Sequence, residues 1–480
     1  MSQVPIFYPR YQSGLNPETE NDFNRFYYGD NVAALKELCL DPAIKGKVKL
    51  IYIDPPYSTG QAFIGSNYEN AYMDRFKNDE EFLDFLEKRL VLLHELLAFD
   101  GSIYLHIDTK IGHYAKILMD KIFGKENYRN EITRIKCNPK NFFRKAYGNV
   151  KDVIFFYSKT KPSGNDPMVW NDYRRPLTDI EIAKQFPKID KNGRRYATTP
   201  LHAKGETIKG PTGQPWKGRK PPKGRHWRYP PEELTRLDEA GLIEWSATGN
   251  PRKIIYADEN AGKKIQDVWV FKDKGFENSM YPTEKNREML DQIILQSSNE
   301  GDTVLDCFAG CGTTLLSSEK HGRRWIGIDN SRVALFATLK NLFSNKVSSR
   351  FTIYYPELSA ASSDLEITLH CINKVEPRKN LFDKQKDIIE VHITDIKTAK
   401  KYQFNNPGLI FSAFKQDDTY LIHNETIDYK NGNYSVSIHK SDAKKDIFLI
   451  VFDIHGNECI VNISSNIFNN SNAPENSFFT

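Results

Sequence analysis

Two stretches of the sequence place acids beside turn-forming residues, and each could do chemistry at the end of a β-strand. In the first, the apolar residues 50–53 run into Asp54, Pro55, Pro56 and Tyr57. The prolines cannot continue a strand, because each lacks an N–H group and has a fixed φ. The strand must therefore stop at Asp54. This puts the carboxylate at the carboxyl edge of a sheet, where ligands bind in open α/β folds.

These residues together could bind a planar heterocycle that carries an exocyclic amino group. The Asp54 carboxylate and the Pro55 carbonyl can accept its two amino hydrogens. The ring of Tyr57 offers a face on which the heterocycle can stack. The sequence therefore predicts Asp54, Pro55, Pro56 and Tyr57 as the catalytic residues. His106 and Asp108 end a further strand, where they either shape the pocket for the base or only pack.

The second stretch has the pattern of a nucleotide-binding βαβ unit. A short strand ends at Asp306, Gly310 and Gly312 form a tight turn, a helix is predicted over 313–320, and another strand ends at Asp329. In such units the last acid accepts hydrogen bonds from ribose hydroxyls. Leu315 holds the position of the third glycine in a dinucleotide fingerprint, and no lysine follows as in a Walker loop. A cofactor with a ribose but no pyrophosphate is favoured.

Asp-Pro-Pro-Tyr at 54–57 and Phe-x-Gly-x-Gly-Thr-Thr at 308–314 together resemble the S-adenosylmethionine-dependent amino-methyltransferases of DNA. In this chain the glycine loop follows Asp-Pro-Pro-Tyr, as in the permuted β group, which includes the Mod subunits of type III restriction-modification systems. The resemblance covers most of residues 20–345. It implies an α/β fold: a circularly permuted Rossmann-like methyltransferase sheet with an inserted target-recognition region and a C-terminal mostly-β domain.

The resemblance also implies roles for single residues, with S-adenosyl-L-methionine as the cofactor. A Gly-Asp pair in the family contacts the adenine of the cofactor, and Asp30 matches it. As plain structure, Asp30 or Asn31 would cap a helix over 32–39. Residues 281–286 resemble Pro-Thr-Gln-Lys-Pro, which caps the carboxylate end of the cofactor, with Glu284 and Asn286 as departures. The predicted cofactor-binding residues are Asp30, Thr283, Lys285, Asp306, Phe308, Gly310, Gly312, Thr313 and Asp329.

A cationic segment lies between the two motifs. Residues 202–229 are rich in lysine and arginine, contain Glu206 as their only acid, and include Trp216 and Trp227. This composition is typical of a surface that contacts phosphates and stacks bases. The family has its target-recognition region at this place. The predicted DNA-binding residues are Lys217, Arg219, Lys220, Lys223, Arg225, Trp227 and Arg228.

The chain of 480 residues is too long for one core, so several domains are expected. We predict a loosely packed N-terminal arm over 1–22, a catalytic half over 23–160, a target-recognition region over 161–275, a cofactor-binding half over 276–345, and a mostly-β domain of unknown role over 346–480. In the last of these, residues 387–463 alternate strand-like runs with turns, including a hairpin turn at Asn431-Gly432.

Composition narrows the class of protein. The net charge of +5 is only mildly basic, so a nucleic-acid footprint must be local. No apolar run is long enough for a bilayer, the N-terminus lacks the pattern of a signal peptide, and six scattered cysteines favour a reducing cytoplasm. Cys307 and Cys311 lack a second pair for zinc, so we expect no metal. The expected partners are double-stranded DNA, a second copy in a homodimer, and a separate chain for any restriction or helicase activity.

The predicted activity is site-specific methyl transfer to the N6 amino group of an adenine flipped out of the duplex. In the family, Asp-Pro-Pro-Tyr goes mostly with N6-adenine and Ser-Pro-Pro-Tyr with N4-cytosine. N4-cytosine methylation and a non-catalytic DNA-binding modification subunit are the open alternatives. An RNA adenine methyltransferase is a further alternative, since the eukaryotic messenger-RNA enzymes share the permuted order, with Trp at the position of Tyr57. It fits less well, because nothing in this sequence resembles their partner-binding helices. In protein-glutamine methyltransferases, Asn-Pro-Pro-Tyr follows the glycine loop, which is the opposite order.

Overall fold

A computed structural model describes most of the chain. The described residues are 7–13, 24–56, 62–64, 70–73, 76–139, 145–161, 163, 167–272, 285–345, 347, 349–356, 365–376, 386–398, 409–416, 419–424, 434–439, 446–452 and 458–462. Tyr57, Thr283 and the predicted turn at Asn431-Gly432 lie outside these ranges.

Helices and strands alternate through much of the described part of the chain. The helices are α1 Asn31–Leu40, α2 Asp79–Leu96, α3 Thr109–Phe123, α4 Asp179–Gln185, α5 Pro231–Glu239, α6 Arg287–Ser297, α7 Thr313–Lys320 and α8 Arg332–Ser344. The strands are β1 Tyr8–Ser13, β2 Asn24–Tyr28, β3 Val48–Ile53, β4 Ala62–Ile64, β5 Asn70–Met73, β6 Leu97–Ile107, β7 Tyr128–Ile135, β8 Lys151–Ser158, β9 Arg174–Arg175, β10 Lys188–Ile189, β11 Arg195–Pro200, β12 His202–Lys204, β13 Arg225–Trp227, β14 Ile243–Trp245, β15 Pro251–Tyr256, β16 Lys263–Lys264, β17 Val268–Val270, β18 Thr303–Asp306, β19 Arg324–Asp329, β20 Phe351–Tyr355, β21 Leu365–Glu376, β22 Lys386–Thr398, β23 Leu409–Gln416, β24 Thr419–Asn424, β25 Tyr434–His439, β26 Ile447–Phe452 and β27 Glu458–Asn462.

One large sheet organises the chain. Its strand order is β17-β7-β8-β6-β3-β18-β19-β2-β20-β1-β24-β23-β26-β27. The central strands β6, β3, β18, β19 and β2 are parallel neighbours, so their carboxyl ends meet at one edge. This mixed sheet with its helices confirms the predicted α/β fold class. Circular permutation stays a prediction, because it concerns the order of motifs relative to other methyltransferases.

Hydrophobic packing holds the central strands in the interior of the protein. In β3 every residue except Lys49 is buried, as expected of a parallel strand with both faces covered. One hydrophobic cluster joins α1, α2 and α3 to β3, β6 and β8, and another joins α7 and α8 to β19, β20 and β1. These two cores cover the strands on both faces, and the acids at the strand ends lie at the carboxyl edge of the sheet.

The N-terminal segment differs from its prediction as a loosely packed arm. Residues 8–13 form β1, which pairs antiparallel with β20 and parallel with β24. Tyr11 is fully buried and packs edge-on against Tyr355 and Phe452. The prediction was wrong for residues 8–13 because their partners come from the far end of the chain. A short mixed sequence does not reveal such distant pairing.

The C-terminal strands agree with the pattern in the sequence. The strand-like runs expected within residues 387–463 correspond to β22, β23, β24, β25 and β26, most of them paired antiparallel. Strands β24, β23, β26 and β27 continue the large sheet, whereas β21, β22 and β25 form a separate one. The large sheet therefore continues with strands from beyond residue 346, and β20 lies inside it between β2 and β1.

The chain divides into two compact units. The main unit comprises Met1–Asn171 and Asp267–Thr480, and the inserted unit comprises Asp172–Gln266. By itself, the inserted unit contains a sheet of order β10-β11-β15-β14 and the strand pairs β12–β13 and β9–β16. Its small core consists of Leu201, Trp216, Trp227, Leu234 and Leu237.

Candidate functional site

Neighbouring strands bring the two predicted motifs to the same edge of the main sheet. Ile51 of β3 pairs in parallel with Leu305 of β18, and β18 pairs in turn with β19. The chain leaves these three strands at Asp54, Asp306 and Asp329. Three acids from distant parts of the sequence therefore gather where open α/β sheets bind ligands.

The Asp54 carboxylate lies between a lysine and a histidine. Lys285 Nζ is 2.7 Å from Oδ2, and His106 Nδ1 is 3.8 Å from Oδ1. The side chains of Asp54 and Lys285 are 15% and 14% exposed, so both charges are largely removed from water. The two prolines that follow Asp54 are also removed from water: Pro55 is buried and Pro56 is half-buried. Sequence reasoning assigned Lys285 to the cofactor and missed its contact with Asp54.

His106 is fully buried at the end of β6, and both of its ring nitrogens have polar neighbours. Nδ1 lies 2.8 Å from the Tyr52 hydroxyl, and Nε2 lies 3.3 Å from a carboxylate oxygen of Asp152. Burial lowers the pKa of the His106 ring below its ordinary value, because removal from water disfavours the charged form. The ring is therefore neutral at neutral pH.

Two cations surround Asp152 on β8. The fully buried guanidinium of Arg134 lies 3.4 Å from its carboxylate, and Lys136 Nζ lies 2.5 Å from it. Burial would raise the pKa of this carboxyl group, but the hydrogen bonds with His106 and Lys136 and the positive charge of Lys136 outweigh it. The pKa of Asp152 is held well below its usual range. Asp152 is therefore a buried anion behind His106, which nothing in its sequence pattern indicates.

The glycines of the second motif turn the chain between β18 and α7. Gly310 and Gly312 have φ values of 53° and 77°, in the left-handed region that favours glycine. A Cβ atom on Gly312 would lie 2.9 Å from the side chain of Thr338 on α8. The Thr338 hydroxyl donates a hydrogen bond of 3.0 Å to the Gly310 carbonyl. Close packing therefore requires glycine at 312 and fixes the shape of the turn.

Backbone donors hold Asp329 at this turn. The N–H groups of Gly310 and Ser331 donate to its two oxygens, each at 2.9 Å. The side chain keeps partial access to solvent, yet burial in the surrounding protein raises the pKa of the carboxyl group to about 6. A carboxylate can accept about four hydrogen bonds, so hydroxyl groups of a ribose can add to these donors.

Asp306 supports the same turn from inside. The Thr314 hydroxyl donates a bond of 2.6 Å to its carboxylate, and the Phe308 N–H donates one of 3.0 Å. Burial, together with the negative charges of Asp54 and Asp329, raises the pKa of Asp306 to about 7. Thr313, 8% exposed, begins α7. Direct contacts of these residues with a cofactor stay predictions.

The Gly-Asp pair before α1 also lies close to the second motif. Asp30 accepts a hydrogen bond of 2.9 Å from the Ala33 N–H, which confirms it as the N-cap of α1. Asn31, which follows, donates to the Cys307 carbonyl at 2.9 Å and accepts from Arg89 Nε at 2.7 Å. The Arg89 guanidinium lies 3.4 Å from the centre of the Phe85 ring. Sequence reasoning missed this buried arginine, because arginine on a helix normally faces water.

The cationic residues predicted to bind DNA belong to the inserted unit and reach its surface. Those exposed are Lys217, Arg219, Lys220, Lys223, Arg225 and Arg228. Some also have partners within the unit: Lys217 pairs with Asp238, and Arg219 donates a bond of 2.7 Å to the Gly249 carbonyl. Their role in DNA binding stays a prediction.

Trp227 does not fit the interpretation as a stacking platform. It is 1% exposed and its indole N–H donates to the Gln214 carbonyl at 3.0 Å. Trp216, 3% exposed, is buried in the same core. The exposed tryptophan of the inserted unit is Trp245, whose ring stacks on Trp216 with a centroid separation of 5.6 Å. The stacking prediction for Trp227 was wrong, because interleaved cations and tryptophans do not show which side of a loop packs inward.

The described residues contain no group of three or more His, Cys, Asp or Glu side chains placed to hold a metal ion. Within the same residues, no helix combines the length and apolar character needed to span a bilayer.

Known proteins match most of the length of this chain. Residues 48–338, more than half of the chain, match the DNA methylase family. The type II methyltransferase M.EcaI of Enterobacter cloacae is 39% identical over 380 residues, which cover 72% of this chain and 81% of M.EcaI. The StyLTI Mod subunit, from a type III restriction-modification enzyme of Salmonella typhimurium, is 27% identical over 369 residues, which cover 67% of this chain and 54% of that subunit.

Among solved structures, the complex of M1.HpyAVI with SAM aligns with a TM-score of 0.36 and 16% identity, over 66% of this chain and 98% of that chain. The family match and the similarity to M.EcaI carry the conclusion. The chain belongs to the DNA methylase family, which confirms the prediction of an S-adenosylmethionine-dependent DNA methyltransferase of restriction-modification type.

Proposed function

We propose that the protein methylates the N6 amino group of adenine at a specific site in double-stranded DNA. The observation that carries this proposal is the position of Asp54 one strand away from the turn that holds Asp329. An acceptor for an amino group and an acceptor for a ribose thus lie at one edge of one sheet. The aspartate of the Asp-Pro-Pro-Tyr motif favours adenine over cytosine, by the resemblance to the family.

The residues around the glycine turn fit S-adenosylmethionine. Asp329 offers its carboxylate to ribose hydroxyls, and the turn has two hydrogen-bonded glycines but no lysine for a pyrophosphate. Asp30, Phe308 and Lys285 are the further residues that we propose to hold this cofactor. When bound, it supplies a methyl group on a sulfonium, which is an electrophile.

Asp54 and Pro55 act on the amino group of the target base. That nitrogen is a poor nucleophile, because its lone pair is delocalised into the heterocycle. Hydrogen bonds to the Asp54 carboxylate and the Pro55 carbonyl pyramidalise the nitrogen and free the lone pair for attack. The rigid proline backbone keeps the two acceptors in place, so much of the rate enhancement comes from orientation.

The base must leave the duplex to reach Asp54, because its amino group is paired inside the helix. Tyr57 is the proposed stacking partner of the flipped base. The exposed cations of the inserted unit, such as Lys220 and Lys223, are proposed to contact phosphates, which position the protein without reading sequence. A homodimer, a separate restriction subunit and a cytoplasmic location complete the proposal.

Nucleoside mass spectrometry tests the target base. Unmethylated duplex DNA is incubated with the purified protein and S-adenosylmethionine carrying a deuterated methyl group, then digested to nucleosides. We expect labelled N6-methyladenine. Labelled N4-methylcytosine would show that the target is cytosine and not adenine. If no nucleoside of a diverse genomic substrate carries the label, the protein is better described as a non-catalytic DNA-binding modification subunit.

A further inference from the structure

The buried network behind Asp54 has a feature that the proposed function does not use. It ends in a neutral histidine whose ring faces the catalytic carboxylate, 3.8 Å away. Resting on the proposed methyl transfer, we propose that His106 is a positioning residue that receives, through Asp54, the proton released by the methylated amino group. Asp152 fixes the ring for this task.

The neighbours of His106 decide which nitrogen carries its proton. Asp152 is an anion between Arg134 and Lys136, so it can only accept a hydrogen bond from Nε2–H. Nδ1 is then the unprotonated nitrogen. The Tyr52 hydroxyl donates to it at 2.8 Å, since burial raises the pKa of Tyr52 well above its usual value and keeps its proton in place. The unprotonated nitrogen, Nδ1, is also the ring nitrogen that lies 3.8 Å from Asp54 Oδ1.

Methyl transfer requires a proton to leave. The nitrogen forms a bond to the methyl carbon while the C–S bond of the sulfonium breaks and its electron pair stays on sulfur, which becomes a neutral thioether. The nitrogen is then positively charged, and breaking one N–H bond returns that electron pair to nitrogen. The proton binds an oxygen of Asp54 and passes from Oδ1 to Nδ1 of His106, as the Tyr52 hydroxyl turns away. The imidazolium later returns the proton to Asp54, whose side chain is 15% exposed and can release it to solvent. The overall step consumes no other reactant.

Charges from several elements face His106 and make this transfer feasible. Asp54 after β3 and Asp152 on β8 are anions that favour the imidazolium, and Lys285 before α6 opposes it. Arg134 on β7 and Lys136 just after it neutralise Asp152, and Tyr52 on β3 is uncharged. Lys285 pairs with Oδ2 of Asp54, which leaves Oδ1 on the side of the histidine.

His106→Gln tests the proposal, because the amide can still donate to Asp152 but cannot take up a proton. Single-turnover methylation is measured from pH 5 to 9 with duplex DNA and saturating S-adenosylmethionine. For the wild type we expect the rate to fall towards acidic pH, as His106 becomes protonated. For His106→Gln we expect a rate about 10-fold lower or more at pH 8 and no such acidic limb. His113→Gln, on the exposed side of α3, is the matched control and should match the wild type.

A purely structural role predicts a different result. The His106→Gln rate would then fall by the same factor at every pH, and the acidic limb would keep its midpoint. That result, or a rate within about 2-fold of the wild type, would overturn the proposal. Cofactor affinity measured by calorimetry on the same preparations should be unchanged in His106→Gln.

Tyr52→Phe keeps the proposal testable even if His106→Gln does not fold, because it removes only a hydroxyl. That hydroxyl stabilises the neutral ring, so its loss raises the pKa of His106 and should move the acidic limb to higher pH. An unmoved limb would contradict the assignment. If the wild-type protein methylates no base, the proposed function itself is contradicted. If the wild type is active and both variants keep its rate and pH dependence, only the role of His106 is contradicted.

Discussion

Asp54 and Asp329 both follow central parallel strands of the same sheet, but their partners differ in kind. Charged or ionisable side chains, Lys285 and His106, face Asp54. Backbone N–H groups of Gly310 and Ser331 hold Asp329. The topology of the sheet gathers the acids, and their neighbours give each one a different chemistry.

The difference separates a reacting group from a binding group. A carboxylate beside mobile protons can exchange them with a substrate, as Asp54 is proposed to do. A carboxylate held by backbone donors has a fixed direction and suits the recognition of ribose hydroxyls. If the comparison is right, changes at the two acids should affect separate steps of the reaction.

The largest effect is expected from Asp54→Ala. Removing the acceptor of the amino hydrogens should lower methyl transfer by about 10³-fold or more, in the range of a lost general base combined with lost orientation. Binding of S-adenosylmethionine, measured by calorimetry, should persist with little change. Normal turnover in this variant would show that Asp54 takes no part in the chemistry. Loss of cofactor binding would show that Asp54 also binds the cofactor, which would contradict the separation between Asp54 and Asp329.

Asp329→Ala should show the converse pattern. Loss of charge-assisted hydrogen bonds to ribose should weaken the binding of S-adenosylmethionine by roughly 10- to 100-fold. The transfer rate at saturating cofactor should fall far less than in Asp54→Ala. Unchanged affinity by calorimetry would refute the ribose assignment.

Lys285→Met tests whether the lysine acts on the Asp54 carboxylate or on the carboxylate end of the cofactor. Since its ammonium lies 2.7 Å from Asp54, we expect the transfer rate to change by about 10-fold and cofactor affinity by less than about 3-fold. Lys285→Arg, which retains the charge, is the control. A larger loss of cofactor affinity would instead support the role at the carboxylate end of the cofactor that the resemblance implies.

The smallest effect concerns pH. Burial raises the pKa of Asp329 to about 6, so the carboxylate is ionised above that pH and protonated below it. Affinity for S-adenosylmethionine should therefore be full near pH 8 and decrease by about 4-fold at pH 5.5, as the ionised fraction declines. Asp329→Asn should bind more weakly and remove this contribution. If the affinity of the wild type and of Asp329→Asn depends on pH in the same way, that dependence comes from another ionisable group.

The strand ends and the glycine turn could be predicted because local chemistry determines them. Two prolines stop β3 at Asp54, and Gly310 and Gly312 precede α7, whose observed bounds match those predicted over 313–320. Such signals need no knowledge of distant residues. They were sufficient to identify the fold class and the edge of the sheet at which the motifs meet.

Burial between distant segments could not be predicted in this way. His106, Arg134 and Asp152 form one buried polar group only because β6, β8 and β7 are neighbours in the sheet. Trp227 looked like part of a DNA-binding surface, but the small core of the inserted unit needs its indole ring. In each case the side chain has an ordinary local sequence, and its environment comes from tertiary packing.

A crystal structure of the protein with S-adenosylmethionine would test most directly whether the two motifs form a single cleft. We predict that the ribose lies on Asp329 beside the Gly310 turn and that the methyl group faces Asp54. A cofactor bound at the same turn with its methyl group directed away from Asp54, or bound elsewhere on the chain, would contradict the shared cleft.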